Sequence, residues 1–261
     1  MKKYSFTRDF NKKNTFVLGR CEYDIGVKVI KWYDENGYDG YKRPLRIKHR
    51  TKPIKQLLVH HSGQDRLNPG VMYHVLWDKR NLSVHFAYDE PFGEPTIYQF
   101  VDADEICAHA GQMNPTSIGI EICHYPSAWI DPLYYDEVRN LKNGNVPHQT
   151  IEQPVFNKIR TVYRMTDATL DAVARLYAGC WVALLQQHER PWNAYFEPPK
   201  FPRINDEIPF ETVKHPNEHW GLIAHRHCSK NKWDPSGMEF ELFEKKVKCY
   251  WEKFTEVFKS W

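Results

Sequence analysis

The sequence predicts an α/β (α+β) fold in which a central mixed β-sheet is flanked by helices. Short apolar segments at 54–61, 117–123 and 221–225 are typical of buried strands. Two longer segments, 166–188 and the residues after 237, repeat apolar side chains at three- and four-residue steps, as amphipathic helices do. Strands and helices of this kind favour a layered domain with the sheet in the middle.

The first half of the chain carries most of the predicted strands. Apolar or alternating stretches bounded by turn residues predict strands at 27–33, 54–61, 83–88, 96–101 and 117–123. The third and fourth of these strands are expected to pair, because turn residues fill 89–95. Residues 70–79 are expected to form a helix after the polar break that follows the second strand.

Two insertions interrupt the second half. Residues 126–165 are rich in turn residues and lack a clear period, so we expect an insertion that is partly helical. Residues 189–220 contain repeated prolines, which preclude a long helix and predict a surface loop. We therefore divide the chain into an N-terminal extension, 1–53, that packs on a main domain, 54–261, with both insertions.

The composition is that of an ordinary globular protein of 261 residues, with 41% hydrophobic and 26% charged residues. The 36 basic and 33 acidic residues leave a net charge of +3, which is too small to indicate nucleic acid as the main ligand. The longest apolar runs, such as 182–185, are too short to span a bilayer, so we expect no stable membrane association.

The N-terminus and the cysteines bear on the compartment. The basic N-terminus lacks the apolar segment and cleavage site of a secretory signal peptide, so we expect a protein that is cytoplasmic at synthesis. The six cysteines form no Cys-x-x-Cys pair, and we expect buried, reduced thiols.

Three segments combine side chains that can bind a metal. His60 and His61 end one apolar strand, Glu121 lies inside another, and His225 is followed nine positions later by Asp234. A catalytic zinc needs three protein ligands and an open fourth position for water. Successive side chains on a strand point to opposite faces, so only one of the two strand-end histidines can line such a site. The spacing leaves open which one does.

Five motifs follow one another in a recognisable order. They are Val59-His60-His61-Ser62, Ser83-Val84-His85-Phe86, Ala108-His109-Ala110-Gly111, Ser117-Ile118-Gly119-Ile120-Glu121, and Ala224-His225 followed by Lys232-Trp233-Asp234-Pro235. In this order they resemble the zinc-dependent N-acetylmuramoyl-L-alanine amidases of type 2, whose fold is shared by the peptidoglycan recognition proteins. The resemblance covers about 54–125, 166–188 and 221–255.

The resemblance implies the metal and the catalytic residues. His60, His225 and Asp234 match the ligands of a catalytic Zn²⁺ ion. Glu121 matches the carboxylate that activates the attacking water, and Lys232 matches the lysine that stabilises the oxyanion. Zinc would supply a nucleophile at neutral pH and polarise the amide carbonyl.

The resemblance also places residues near the substrate. His85 and His109 fall in family motifs beside the cleft, and we expect them to bind substrate. Two departures concern the same region: Val84 stands where some relatives have tyrosine, and Cys107-Ala108 replaces a frequent tryptophan. These departures bear on substrate contacts and leave the metal motifs intact.

Alternatives stay open for several of these residues. Cys228 is a rival third ligand, although it lies only three residues after His225. Asp234 could be a plain turn residue, because Asp-Pro often opens turns. His61 is expected to be a core residue or a neighbour of the ligands, and His227 is expected at the surface.

The predicted function is zinc-dependent hydrolysis of the amide bond between N-acetylmuramic acid and L-alanine of peptidoglycan. Residues 54–261 would then be the catalytic domain, its partner a muramyl peptide, and the protein a monomer. A phage-type endolysin that acts on the cell wall is favoured over a cytoplasmic amidase that recycles anhydro-muramyl peptides. A module that binds peptidoglycan without cleaving it is the alternative from another class of protein.

Overall fold

The computed structural model describes residues 12–43, 47–63, 68–135, 148–187 and 193–259. Its strands are β1 (Thr15–Leu18), β2 (Cys21–Asp24), β3 (Lys28–Lys31), β4 (Ile47–His49), β5 (Gln56–His61), β6 (Phe86–Asp89), β7 (Thr96–Gln99), β8 (Glu105–Cys107), β9 (Ser117–Ile122), β10 (Thr150–Val155), β11 (Lys158–Tyr163) and β12 (Gly221–Ala224). Its helices are α1 (Pro69–Tyr73), which continues as a π-helix over His74–Lys79, then α2 (Asp167–Gln187), α3 (His225–Cys228) and α4 (Phe240–Lys259).

The predicted mixed sheet is confirmed. Six strands are hydrogen-bonded in the order β12-β5-β9-β6-β7-β3. All neighbouring strands are parallel except β6 and β7, the predicted hairpin, which are antiparallel. Helices α2 and α4 pack on one face of the sheet, and α1 with its π-helical extension packs on the other.

The register of β5 and β9 positions two predicted site residues together. His60 and Glu121 are direct partners across the two parallel strands. Partners in register project to the same face of a sheet. They therefore emerge side by side on the face that carries α1, while Val59 and Ile120 point into the core below α2.

Helix α2 supplies much of that core. By length and composition it could cross a membrane, but 83% of its most apolar window is buried inside the protein. Its Tyr177 hydroxyl donates to the carbonyl of Leu58 at 2.5 Å, which ties the helix to β5 two residues before His60. The apolar surface of the helix is thus explained by packing against the sheet and α4.

The described part of the N-terminal segment joins the same core. Strand β3 pairs in parallel with β7 and forms one edge of the central sheet. Phe16, Tyr23 and Ile25 are at most 1% exposed and contact the core cluster built around α2. The sheet therefore continues across the predicted boundary at residue 53.

This packing predicts the effect of a methyl group at Gly179 in α2. A Cβ atom there would lie 2.5 Å from Cγ2 of Ile25. Gly179→Ala should therefore destabilise the protein by about 1–3 kcal/mol through overpacking, although alanine is the better helix former. Urea denaturation measures the free energy of unfolding. In a double variant that also carries Ile25→Ala, the added methyl group should destabilise the protein less. A more stable Gly179→Ala variant would contradict the close packing.

The first insertion contains a hairpin that the sequence analysis did not predict. Strands β10 and β11 pair in antiparallel register around a two-residue turn at Phe156 and Asn157. Residues 136–147, where the expected helix could also fall, lie outside the described residues. The described part of the proline-rich loop contains short 3₁₀ turns, at Asn193–Phe196 and Pro216–Glu218, and an isolated bridge between Ile204 and Glu207, as expected for a loop without a long helix.

The six cysteines are all free. Cys107, Cys123 and Cys180 are buried, as predicted, whereas Cys21 and Cys228 are only partly buried and Cys249 is exposed. The expectation of buried thiols is therefore wrong for Cys249, which lies on the outer side of α4.

Candidate metal centre and active site

The three predicted metal ligands meet although they are far apart in the sequence. His60 Nδ1 lies 2.9 Å from His225 Nδ1. Asp234 Oδ2 lies 2.9 Å from His225 Nδ1 and 3.3 Å from His60 Nδ1. Because β12 is the parallel neighbour of β5, the carboxyl ends of both strands bring their histidines to the same edge of the sheet.

The geometry of this triangle fits a zinc ion. Zinc bonds to nitrogen and oxygen are about 2.0–2.2 Å long, so tetrahedral ligands lie about 3.3–3.6 Å apart. The observed separations of 2.9–3.3 Å need only a small outward shift to reach that spacing. Among the described residues, His60, His225 and Asp234 form the group of histidine, cysteine or acidic side chains that could hold a metal ion together. Their potential ligand atoms all lie within 4.8 Å of one another.

The surroundings hold two members of the triangle, His60 and Asp234, in the protonation states that a metal requires. Burial lowers the pKa of His60 to about 4, so the ring is neutral at pH 7. Burial alone would raise the pKa of Asp234, but its contacts, above all the hydrogen bond with His225, outweigh burial and hold that pKa well below its usual range. A neutral imidazole and a carboxylate are the forms that bind Zn²⁺.

A chain of hydrogen bonds determines which nitrogen of His60 faces the metal site. His60 Nε2 lies 3.0 Å from His109 Nδ1, and His109 Nε2 lies 3.2 Å from Ser117 Oγ. The Ser117 hydroxyl donates to the carbonyl of Met113 at 2.9 Å. Since a carbonyl only accepts, Ser117 Oγ accepts from His109 Nε2–H, and His109 Nδ1 accepts from His60 Nε2–H. The lone pair of His60 Nδ1 then points into the triangle, where a metal ion would bind.

Two neighbouring residues make room for His109 and hold it in place. A Cβ atom at Gly119 would lie 2.5–2.6 Å from Cε1 and Nδ1 of the His109 ring, so a larger residue would displace the ring. Asn114 Oδ1 accepts from the backbone N–H groups of His109 and Ala110 at 3.0 and 2.6 Å. The His-Ala-Gly and Ser-Ile-Gly motifs thus form one support for His60.

Replacing Ser117 by alanine should weaken zinc binding by about 10–100-fold, the usual effect of removing a partner behind a metal ligand. Without the hydroxyl, His109 can carry its proton on Nδ1, which favours the His60 tautomer with its proton toward the metal site. Competition with a chelator measures the zinc affinity. Ser83→Ala is the matched control, because Ser83 is equally buried but accepts from the backbone of Ala108. An equal loss of zinc affinity in both variants would contradict the role of the hydrogen bonds that run from Ser117 through His109 to His60.

His85 lies behind the site and supports the sheet. Its Nδ1 accepts from Gly119 N–H at 3.0 Å, and its Nε2 donates to the carbonyl of Glu105 at 2.9 Å. The ring is fully buried, and burial lowers its pKa to about 3. This arrangement does not match the predicted contact with substrate, because neither nitrogen is open to the cleft. His109 does line the cleft, so its predicted substrate contact stays a prediction.

Glu121 and Lys232 line the same cleft as the triangle, a cavity of about 310 Å³. Oε2 of Glu121 is shielded from solvent and has no hydrogen-bond partner among the described residues. Burial, together with the negative charge of Asp234, raises the pKa of Glu121 to about 8. A carboxyl group with such a pKa can exchange a proton near neutral pH, as a general acid or base must.

The positions of the side chains decide between the alternatives that the sequence left open. His60 joins the triangle and His61 does not; neither ring nitrogen of His61 has a hydrogen-bond partner among the described residues. Cys228 also stays outside the triangle and directs its thiol to the carbonyl of Ala224 at 3.6 Å. The surface position predicted for His227 is wrong: its ring is fully buried, accepts from Ala224 N–H and donates to the carbonyl of Pro209.

The fold and the site together define a mixed-sheet protein with a candidate His-His-Asp metal centre at the sheet edge. A family model described as N-acetylmuramoyl-L-alanine amidase matches residues 50–237, which include all five motifs. The chain belongs to the N-acetylmuramoyl-L-alanine amidase family, and the predicted resemblance is confirmed. No curated protein matches the chain.

Several solved structures match the chain at low identity. The amidase AmiD from E. coli, in complex with anhydro-N-acetylmuramic acid-L-Ala-D-γ-Glu-L-Lys, is 17% identical with a TM-score of 0.42, and the match covers 74% of this chain and 57% of that one. Drosophila PGRP-LB is 16% identical with a TM-score of 0.44, over 83% of this chain and 92% of that one. The endolysin of the Thermus scotoductus bacteriophage Ph2119 is 12% identical with a TM-score of 0.43, over 84% and 99%. The chain thus spans little more than half of the AmiD chain.

Proposed function

We propose that this protein is a zinc-dependent amidase that hydrolyses the bond between N-acetylmuramic acid and L-alanine of peptidoglycan. The convergence of His60, His225 and Asp234 in one cleft with Glu121 and Lys232 carries the proposal. Membership of the amidase family supports the reaction class. The donor set, the spacing of the ligand atoms and the unpartnered oxygen of Glu121 all suit a hydrolytic zinc site.

Each side chain has a task that its position supports. His60, His225 and Asp234 would hold the ion. When bound, zinc acidifies water and polarises the scissile carbonyl. Glu121 accepts the proton of the attacking water and passes it to the leaving amine of L-alanine. Lys232 donates a charged hydrogen bond to the developing oxyanion.

The proposal is tested with the purified protein and a soluble muramyl peptide. We expect one zinc ion per chain and release of the stem peptide, for example L-Ala-D-γ-Glu-L-Lys, from N-acetylmuramic acid. A chelator should stop the release, and added Zn²⁺ should restore it. Binding of the muramyl peptide without release would instead identify a peptidoglycan-binding module.

We further propose that the substrate is the polymeric cell wall, as for an endolysin, and not a soluble anhydro-muramyl peptide in the cytoplasm. The support is that the two insertions build a second cavity beside the cleft, which extends the surface available to a large substrate. Digestion of intact sacculi and of anhydro-muramyl peptide by the same preparation compares the two. Faster turnover of the soluble peptide would overturn the cell-wall assignment.

A further inference from the structure

Arg226 makes several contacts with the loop between α3 and α4, residues 229–239, which carries Asp234 and which we call the ligand loop. The Arg226 side chain is 1% exposed. Its backbone N–H donates to the carbonyl of Asp234 at 2.8 Å, and its guanidinium donates to the carbonyl of Trp233. The guanidinium also donates to the hydroxyl of Ser236 at 2.8 Å. One residue thus contacts the ligand loop before, at and after the third candidate ligand.

These contacts lie on both sides of the Cα atom of Asp234. A residue rotates only about φ and ψ, the two bonds that join its Cα atom to the flanking peptide groups. The Trp233 carbonyl belongs to the peptide group before this atom, and the Asp234 carbonyl belongs to the one after it. Because Arg226 donates to both carbonyls, it restrains both rotations. The carboxylate of Asp234 is thereby directed to Nδ1 of His225, the residue that precedes Arg226, at 2.9 Å.

The first insertion supports Arg226 and the ligand loop from the other side. The guanidinium donates to the carbonyl of Pro154 in β10 at 3.1 Å. Gln153 in the same strand is 4% exposed, and its amide accepts from Gly237 N–H and donates to the carbonyl of Met238, both at 2.8 Å. The β10–β11 hairpin is therefore the wall against which the ligand loop packs.

The stability of the core alone does not account for an arginine at this position. Burial lowers the pKa of Arg226 to about 10, so the side chain stays charged at neutral pH. In the parts of the chain that the structure describes, its guanidinium donates to carbonyls and a hydroxyl and forms no ion pair with a carboxylate. A buried cation of this kind costs folding free energy, and an apolar side chain of similar volume often costs less. The contacts with the ligand loop are what the arginine adds.

We propose that Arg226 is a positioning residue of the metal centre, which holds the backbone around Asp234 in the arrangement that brings its carboxylate to His60 and His225. The β10–β11 hairpin completes this support through Gln153. The inference rests on the proposed zinc amidase and adds a residue that acts on the ion only through Asp234.

Zinc affinity, measured by competition with a chelator, tests this role. Arg226→Lys keeps the positive charge, but a single ammonium cannot occupy the positions of both terminal nitrogens of the guanidinium. We expect the zinc dissociation constant of this variant to rise about 10–100-fold, as for other partners behind metal ligands. Ser236→Ala leaves Arg226 in place and removes one of its acceptors, so the constant should rise about threefold to tenfold.

Ile25→Ala is the control for a loss of stability alone. Ile25 is 1% exposed and lies in the core cluster around α2, outside the cleft. Its truncation destabilises the fold but should leave the zinc affinity of the folded protein unchanged. All variants are compared at a temperature at which circular dichroism shows them to be folded. Wild-type zinc affinity in Arg226→Lys, or an equal loss in Ile25→Ala, would overturn the positioning role.

Hydrogen exchange in the metal-free protein gives a second readout that needs no zinc. The backbone N–H at position 226 donates to the carbonyl of Asp234, and that of Gly237 donates to Gln153. In Arg226→Lys both amides should exchange at least about tenfold faster, while amides in the middle of α2 keep their wild-type rates. Unchanged exchange at both amides would overturn the positioning role. A wild-type protein that protects these amides as expected but binds no zinc contradicts the amidase proposal and leaves the support of the ligand loop by Arg226 standing.

Discussion

Asp234→Ala should bind zinc too weakly to retain it through purification and should hydrolyse muramyl peptides more than about 10³-fold more slowly, since a bound metal supplies several kcal/mol of transition-state stabilisation. Oδ2 of Asp234 lies within 2.9–3.3 Å of Nδ1 of both His60 and His225, and it is the anionic member of the triangle. Without it, only the two histidine nitrogens of the triangle remain. Zinc content after dialysis and the rate of peptide release are the two measurements.

The control for this change is Glu256→Ala. Glu256 is exposed on α4, so its replacement alters the net charge equally without touching the cleft. It should keep both zinc and activity, and the far-ultraviolet circular dichroism of both variants should match that of the wild type. Wild-type zinc affinity in a folded Asp234→Ala variant would remove the aspartate from the ligand set and with it the proposed centre.

Glu121→Gln should lower kcat by about 10²–10⁴-fold while zinc stays bound, because the amide has nearly the same shape but cannot accept the proton of water. The effect should appear in kcat with little change in KM, since the proton moves only as the bond is broken. Stopped-time assays with a soluble muramyl peptide, together with zinc content, measure both properties. Full turnover in this variant would assign the general base to another residue.

The same variant gives a second readout in the metal-free protein. Because the pKa of Glu121 is raised from 4.5 to about 8, the folded state keeps a proton in this window that the unfolded chain has already lost. The free energy of unfolding of the wild type should therefore fall, relative to that of Glu121→Gln, as the pH rises from about 5 to 8. Urea denaturation across this range tests the sign, and parallel curves would show that the carboxyl is not buried in this way.

Local patterns in the sequence predicted most elements near the site. The helix expected over 166–188 is α2, Asp167–Gln187, and the strand expected over 117–123 is β9, Ser117–Ile122. Helix and strand periodicities are properties of the local sequence, so they can be recognised without knowledge of the fold. The hairpin β10–β11 was not predicted, because Pro154 interrupts the pattern of its first strand and its Phe-Asn turn lacks glycine.

Other features of the site have no local signal. The choice of His60 over His61 depends on which face of β5 packs against α2 and which face lies toward α1, and a strand pattern alone is symmetric in that respect. The buried position of His227 likewise results from the carbonyl of Pro209, which belongs to a loop without periodicity. Contacts of this kind are made between segments whose separation along the chain carries no information about their distance in space.

The sequence by itself determined the chemical types available to the site, namely two histidines and an aspartate as candidate ligands, with Glu121 and Lys232 in neighbouring motifs, because the motifs that carry these residues can be recognised in order. Only the tertiary structure decided that His60 Nδ1 faces the triangle, that Ser117 acts on it through His109, and that the insertions enclose a second cavity. The physical reason is that these are relations of direction and distance, and parallel pairing of β5 with β9 and β12 sets them between residues up to 165 positions apart.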